Sequence, residues 1–253
     1  MEERLQVWSS GGGSQSAAIA VLILQGKLPK PDIAVIVDTE REAAPVWEYH
    51  DTYVYPALKD IGVELHRIPK SRYATVDLYG SKDKILIPAW TDETGRVGKL
   101  PTYCSNEWKK RVVRRFVSEQ YKRPQKFETW IGFTTDEMRR VHQELGRWKP
   151  VYPLIKLGLS KPDCYELIEK HGWARPPKSS CWMCPNRDHA AWMEMKRLTP
   201  DDFNKAVEFE RKIRINDDAL FLHQSGVTLD KVNENWTSKE PYTGRCSSGM
   251  CFV

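Results

Sequence analysis

Short apolar runs alternate with stretches of helical periodicity through the first third of the chain. Residues 4–9 (RLQVWS) read as a short strand. Residues 15–25 hold Ala, Ile, Val and Leu so densely that they read as a helix buried against a sheet. PDIAVIVDTE (31–40) is a continuous apolar run flanked by a proline and by polar residues, as a parallel strand covered on both faces is. The aromatic and aliphatic residues of APVWEYHDTYVYPALKDIG recur at helical spacing, and VELHRIP alternates as a strand. This β-α-β-α-β order predicts an α/β fold with a parallel sheet and right-handed crossovers. In such folds ligands lie beyond the C-terminal ends of the strands.

From residue 73 to residue 103 the pattern lapses, interrupted by Gly80, Pro88, Gly95, Gly98 and Pro101, and the segment reads as a long loop, a candidate lid. SNEWKKRVVRRFVSEQY (105–121) predicts a basic amphipathic helix with Ser105 or Asn106 as its N-cap. KFETWIGFT supplies another strand, ending at Gly132. Residues 161–171 and 199–215 predict helices, the second opening on Thr199, Pro200 and two acids. The expected organisation is an α/β domain over residues 1–160 and a mostly helical, cysteine-containing region over residues 161–253, ending in a Ser/Gly-rich tail.

Composition narrows the field. A chain of 253 residues with 40% hydrophobic and 29% charged positions can bury a substantial core, which excludes a disordered protein. The net charge of +5 suits an anionic ligand or nucleic acid and is equally ordinary for a soluble enzyme. No apolar run approaches the roughly 20 residues that span a bilayer. The Met-Glu-Glu-Arg start has neither the basic nor the apolar region of a secretion signal, so a cytosolic protein without a membrane partner is expected. Disulfides are rare in that compartment, so the 6 cysteines read as metal or cluster ligands, redox catalysts or buried thiols.

Two motifs carry chemistry. Ser10-Gly11-Gly12-Gly13-Ser14-Gln15-Ser16 lies between the first strand and the first helix, where glycines let a ligand approach and successive N–H groups form an anion nest. A tight βα turn that only needs glycine has the same composition. The loop lacks the Walker lysine and the dinucleotide spacing. Cys181-Trp182-Met183-Cys184-Pro185 is a C-x-x-C, which by itself serves as half a zinc site, a redox pair or two ligands of an iron–sulfur cluster. Its context is not that of a thioredoxin-like βαβ domain, which favours metal or cluster ligation. A closed site needs about four ligands.

The glycine loop resembles the PP-loop of the adenine-nucleotide α-hydrolase superfamily, with Gln15 where aspartate is common, and it falls on the first βα turn as that superfamily requires. The resemblance implies a HUP-like, Rossmann-like domain. In it Ser10, Gly11, Gly12, Gly13, Ser14 and Ser16 would hold the pyrophosphate of ATP or the phosphosulfate of a sulfonucleotide. VDTE (37–40) implies Asp38 and Thr39 beside the adenosine, although Asp38 equally suits a helix N-cap. GFTTDEMRR (132–140) resembles the segment after the fourth strand. It implies Gly132 at the ligand and Asp136 and Glu137 orienting Arg139 or Arg140 toward phosphate, while acids at the positive end of a helix have the same look without a ligand.

TYCSNEWKKR resembles the Cys-Thr-x-x-x-Lys segment of phosphoadenosine phosphosulfate (PAPS) reductase-like proteins. It implies Cys104 as a third ligand beside Cys181 and Cys184, and Lys109 facing the nucleotide. KSSCWMCPNRDHAAWMEMKRLTPDDF resembles the Ser-Cys-x-x-Cys-Pro, Trp and Pro-Asp/Glu-x-Phe pattern of that family in bacteria and their phages. The resemblance implies a [4Fe-4S] cluster, with zinc as the alternative. Adenosine phosphosulfate (APS) reductases have two adjacent cysteines where Cys104-Ser105 stands here, so the fourth ligand falls to Cys164, Cys246 or Cys251, and Cys164 equally suits an inert core thiol. The tail GRCSSGMCFV lacks the Glu-Cys-Gly-x-His of sulfonucleotide reductases, and Cys246 and Cys251 stand as ligand, nucleophile or neither.

These implications give three readings. The first is an enzyme that adenylates an acceptor, releases pyrophosphate and transfers sulfur, with Mg²⁺ admitted beside ATP, as nucleic-acid thiolation enzymes of the superfamily do. Lys109, Lys110, Arg111, Arg114 and Arg115 then form a basic rim for nucleic acid, or else only a solvated helix face. The second is a PAPS or APS reductase in which a tail thiolate attacks sulfur and sulfite leaves. The catalytic residues under these two readings are Cys246, Cys251, Lys109 and Arg139. The third is a non-catalytic nucleotide-binding module with structural zinc, a subunit of a partner-protein complex.

Overall fold

The computed structural model describes residues 4–92, 96–121, 125–144 and 146–237. The chain runs β1 (Leu5–Ser10), α1 (Ser14–Leu24), β2 (Ile33–Asp38), α2 (Ala44–Tyr49), α3 (Tyr55–Asp60), β3 (Leu65–Pro69), β4 (Trp90–Thr91) and β5 (Gly98–Lys99). It continues α4 (Arg111–Gln120), β6 (Phe127–Trp130), β7 (Trp148–Val151), α5 (Pro153–Lys156), α6 (Lys161–Lys170), α7 (His189–Leu198), α8 (Pro200–Asn216) and β8 (Leu220–Phe221). A π-helical stretch, His50–Val54, joins α2 to α3, and another, Ser105–Lys110, leads into α4.

Contacts divide the described chain into two units, one of residues 4–75 and 105–179, the other of residues 76–104 and 180–237. In the first unit five strands pair in parallel in the order β3-β2-β1-β6-β7. This is the α/β, Rossmann-like arrangement expected from the alternation of elements. Helix α6 packs on α1 and belongs to this unit.

Alternate residues of each strand enter two cores, as the period of a strand dictates. Trp8, Ala34, Ile36, Leu65 and Trp130 face α1, α3 and α6, while Val7, Val35, Val37, Ile68 and Phe127 face α4. Because it is covered by sheet on one side and by α6 on the other, α1 is buried from Ser16 to Ile23. That double cover explains its near-continuous apolar sequence. Helix α6 starts on a capping box in which Ser160 N donates to Asp163 Oδ2 at 2.7 Å.

Two expectations need correction. Ser105 and Asn106 do not cap the basic helix, because both lie inside its π-helical opening and Ser105 is buried. Residues 73–103 are not one long loop. They include β4 and β5, which join β8 in a three-stranded antiparallel sheet of the second unit. Strands of two residues are too short to leave a periodicity in the sequence.

In the second unit α7 and α8 bury Trp192, Phe203 and Ile213. Glu210 is buried beneath them and accepts from Leu222 N and Leu229 N at 2.7 and 2.6 Å, and burial raises its pKa. His223 is fully buried and accepts from Ser225 N at Nδ1, which leaves Nε2 to donate to His189 Nδ1 at 3.2 Å. Burial, reinforced by His189, pushes its pKa down to about 4. No helix among the described residues is long and apolar enough to cross a membrane.

Two outcomes follow. Ile19→Ala removes a fully buried side chain from the helix that carries the glycine loop and should cost about 2–5 kcal/mol. Urea unfolding at unchanged slope reads this, and a midpoint equal to wild type would contradict the packing. The native state holds His223 unprotonated while the unfolded chain binds a proton below 6.5, so stability should fall as pH drops from 6.5 toward 4. Thermal melts of wild type and His223→Gln across that window test it, and an identical pH slope in both would contradict the burial.

Candidate functional site

Strand β1 lies between β2 and β6, so the chain departs to opposite sides of the sheet at its C-terminal end. That is the topological switch point at which open α/β sheets bind ligands. The Ser10–Ser16 loop sits there. Gly12 adopts φ +78°, and a Cβ on it would meet Ser179 Oγ at 3.1 Å and Ile36 Cδ1 at 3.4 Å, so both backbone and space call for glycine.

The loop is held from within. Ser16 Oγ accepts from Gly11 N at 2.8 Å and Ser10 Oγ from Gly12 N at 3.3 Å. Ser179 Oγ donates to the Gly11 carbonyl at 2.6 Å and lies 3.1 Å from Glu42 Oε1. Gly13 is the N-cap of α1, with no side chain capping the helix and no acid in its first turn. The positive end of α1 is thus left open to an anion.

A shallow cleft open to solvent adjoins the loop. Its polar lining is Ser10, Gly11, Gly12, Glu42, Lys109 and Ser179, and its apolar lining is Ile36, Val37, Val46 and Trp47. Lys109, on the π-helical lead into α4, brings a cation to a loop nearly a hundred residues earlier in the chain.

The other sequence-derived residues fall around this centre. Gly132 packs on the start of α1, where a Cβ would come within 3.2 Å of Gln15 Cβ. Gln15 receives Ser14 Oγ on Oε1 and donates from Nε2 to Glu137 Oε2, each at 3.1 Å, and Glu137 is ion-paired with Arg140. An aspartate at position 15 would set two carboxylates face to face, so the amide fits its neighbour better. Asp136 does not orient an arginine: it accepts from Lys161 N at 2.6 Å, and Arg139 is exposed. Asp38 is held by Arg67, whose Nε and Nη2 lie 2.9 and 2.6 Å from Oδ2, and its Oδ1 accepts from Glu40 N at 2.7 Å. Thr39 beside it is fully buried.

The basic residues of the α4 helix are engaged within the first unit. Lys110 and Arg114 both pair with Glu144, at 3.0 and 2.6 Å, and Arg111 pairs with Glu107 at 2.7 Å. Arg115 donates to Tyr73 O at 3.2 Å. Two carboxylates, Glu144 and Glu107, thus offset part of the charge of these four cations.

The cysteines separate. Cys164 is fully buried in the core between α1 and α6, and burial drives its thiol up to about 12, so it is the core thiol rather than a ligand. Cys104, Cys181 and Cys184 are thiols of the second unit, and Cys184 N closes the C-x-x-C turn onto Cys181 O at 3.0 Å. Cys246 and Cys251 lie outside the described residues. Among the described residues no group of three or more His, Cys, Asp or Glu could hold a metal ion.

Sequence reasoning missed Ser179, Glu42 and Trp47. Only Ser179 left a trace, as part of the Lys-Ser-Ser run before Cys181. No family model matches the chain, and no curated protein matches it. Among solved structures it is similar to the U34-tRNA thiolase NcsA from Methanococcus maripaludis with its [4Fe-4S] cluster, at 13% identity over 92% of this chain and 74% of that chain, with a TM-score of 0.43.

Gly12→Ala should destabilise the protein by about 1–2 kcal/mol through its left-handed backbone, and by more once Ser179 is displaced. Gly26 has a similar φ of +68°, and a Cβ added there would have nothing within 4 Å, so Gly26→Ala isolates the backbone part. Equal losses in the two variants, read by urea unfolding, would contradict the Ser179 contact.

Proposed function

We propose that the chain is an enzyme that holds an adenine nucleotide by its phosphates on the Ser10–Ser16 loop and uses it to activate an acceptor by adenylation for sulfur transfer. The observation that carries this reading is the convergence in one cleft of the glycine loop and Lys109, next to the open N-terminus of α1. Phosphate oxygens would take the helix-terminal N–H groups as donors, and Ser14 and Ser16 hydroxyls lie in the same turn.

In this reaction an acceptor oxygen attacks the α-phosphorus, the α–β bridge breaks and pyrophosphate leaves. A sulfur nucleophile then displaces AMP from the activated acceptor. Lys109 neutralises charge on the departing pyrophosphate, and the α1 dipole acts in the same sense. Gln15 brings no carboxylate to these steps. Nucleic acid is the proposed acceptor on the strength of the superfamily resemblance, since the α4 cations are mostly paired.

Turnover tests the reading. With ATP, a sulfur donor and a nucleic-acid acceptor the protein should release pyrophosphate, and Lys109→Ala should lower kcat/KM by about 100- to 1,000-fold. Sulfite release from PAPS without pyrophosphate from ATP would replace adenylation by sulfonucleotide reduction. Nucleotide binding with neither product would leave a binding module.

A further inference from the structure

Residues 229–236 lie against α7 and α8 within the second unit. Leu229 N donates to Glu210 at 2.6 Å, and Val232 is buried. Trp236 sets the centre of its ring 5.5 Å from that of His189 and 5.0 Å from that of His223. The remaining hold is the histidine pair itself.

Each nitrogen of the two imidazoles has one role, and the hydrogen bonds run in one direction. His223 Nδ1 accepts from Ser225 N at 3.1 Å, with Ser225 Oγ 2.7 Å away. His223 Nε2 donates to His189 Nδ1 at 3.2 Å, and His189 Nε2 donates to the Glu234 carbonyl at 2.9 Å. The nitrogens without a hydrogen are His189 Nδ1 and His223 Nδ1, so only they can take a further proton. Both already face an N–H. A proton on either one sets two donors head to head, and a ring has to turn away. His223 is fully buried, so the ring that turns is His189, and its bond to Glu234 is lost with the turn.

The charged groups around the pair do not supply this sensitivity. Asp188 caps α7 by accepting from Ala191 N at 2.8 Å. Lys196 pairs with Glu234 at 3.2 Å and Arg211 with Asp230 at 3.4 Å, both exposed pairs of small worth. Glu210 acts in the opposite sense. Burial raises its pKa, so the folded chain takes up a proton there more readily than the unfolded one and is favoured by acid.

We propose that His189 and His223 form a proton-operated clasp: the neutral pair docks residues 229–236 on α7, and one proton on either ring undocks them. The segment directly precedes residues 238–253, which carry Cys246 and Cys251, so release moves the base from which that cysteine-bearing stretch continues. Docked, His223 titrates at about 4, and undocked it returns toward 6.5, which sets the working window. Docking is complete above that window and is lost as pH falls through it, with the undocked share growing about tenfold per pH unit.

Hydrogen exchange of the full chain, corrected for the intrinsic pH dependence of exchange, reads docking peptide by peptide. From pH 7 to pH 5 the peptide over residues 229–236 should lose protection while that of α8 keeps it. His189→Gln and His223→Gln, which cannot take the proton, should each flatten that response. In wild type at pH 7, long-range ¹⁵N–¹H spectra should show both rings protonated at Nε2. No response in wild type, a response unchanged in both variants, or α8 losing protection in step with the segment overturns the proposal. Should a glutamine variant be undocked at every pH, the wild-type tautomers decide: a proton on Nδ1 of either ring at pH 7 overturns it, and Nε2 on both upholds it.

Discussion

Gly12 turns the chain from β1 into α1 with φ at +78°, and a Cβ there would come within 3.1 Å of the Ser179 hydroxyl. The Ser179 hydroxyl also fixes the Gly11 carbonyl, at 2.6 Å. With that carbonyl tied back, Ser10 and Ser16 can hold the first two glycine N–H groups, and α1 begins at Ser14 without a side chain over its end. The N–H groups that open α1 have no side-chain cap and so can meet an anion. The turn therefore couples a backbone constraint to a chemical one: the geometry that lets the loop close also leaves donors for an anion.

The rest of the first unit keeps this turn in place. Helix α1 is buried on nearly all sides, so the loop cannot swing with a loosely attached helix. Gly132 lets the end of β6 come against Gln15, and Gln15 reaches Glu137 and through it Arg140. Gln15 is thus matched by its surroundings. On the other side, Arg67 and Asp38 link β3 and β2 to Trp47, and Lys109 enters from a helix that begins with a π-helical stretch. Such stretches shift side-chain direction relative to an ideal helix and occur often at functional sites.

Much of this was legible in the sequence because local pattern and tertiary role coincide there. The apolar run of β2 is buried on both faces, and the dense apolar stretch of α1 is covered by sheet and helix, so each announces its environment. The glycine loop was legible for the same reason: its backbone demands restrict which residues can stand there. What was not legible depends on partners distant in the chain. Lys110 and Arg114 look like a free basic face until both are seen to share Glu144, some 30 residues away. Asp38 looks available to a ligand until Arg67 is seen to hold it. The two-residue strands β4 and β5 carry too few positions for alternation to register, and Ser179 reveals its role only through its contact with Gly11. Cys164 had two readings, and only its place in the core between α1 and α6 decides between them.

The central claim, that the β1–α1 turn is a phosphate site, is tested most directly by a crystal structure with a non-hydrolysable ATP analogue. The account predicts phosphate oxygens within hydrogen-bonding distance, about 2.7–3.2 Å, of the backbone N–H groups that open α1, with Lys109 beside them. An analogue bound away from the Ser10–Ser16 loop, or a loop that stays empty at saturating analogue, would contradict it.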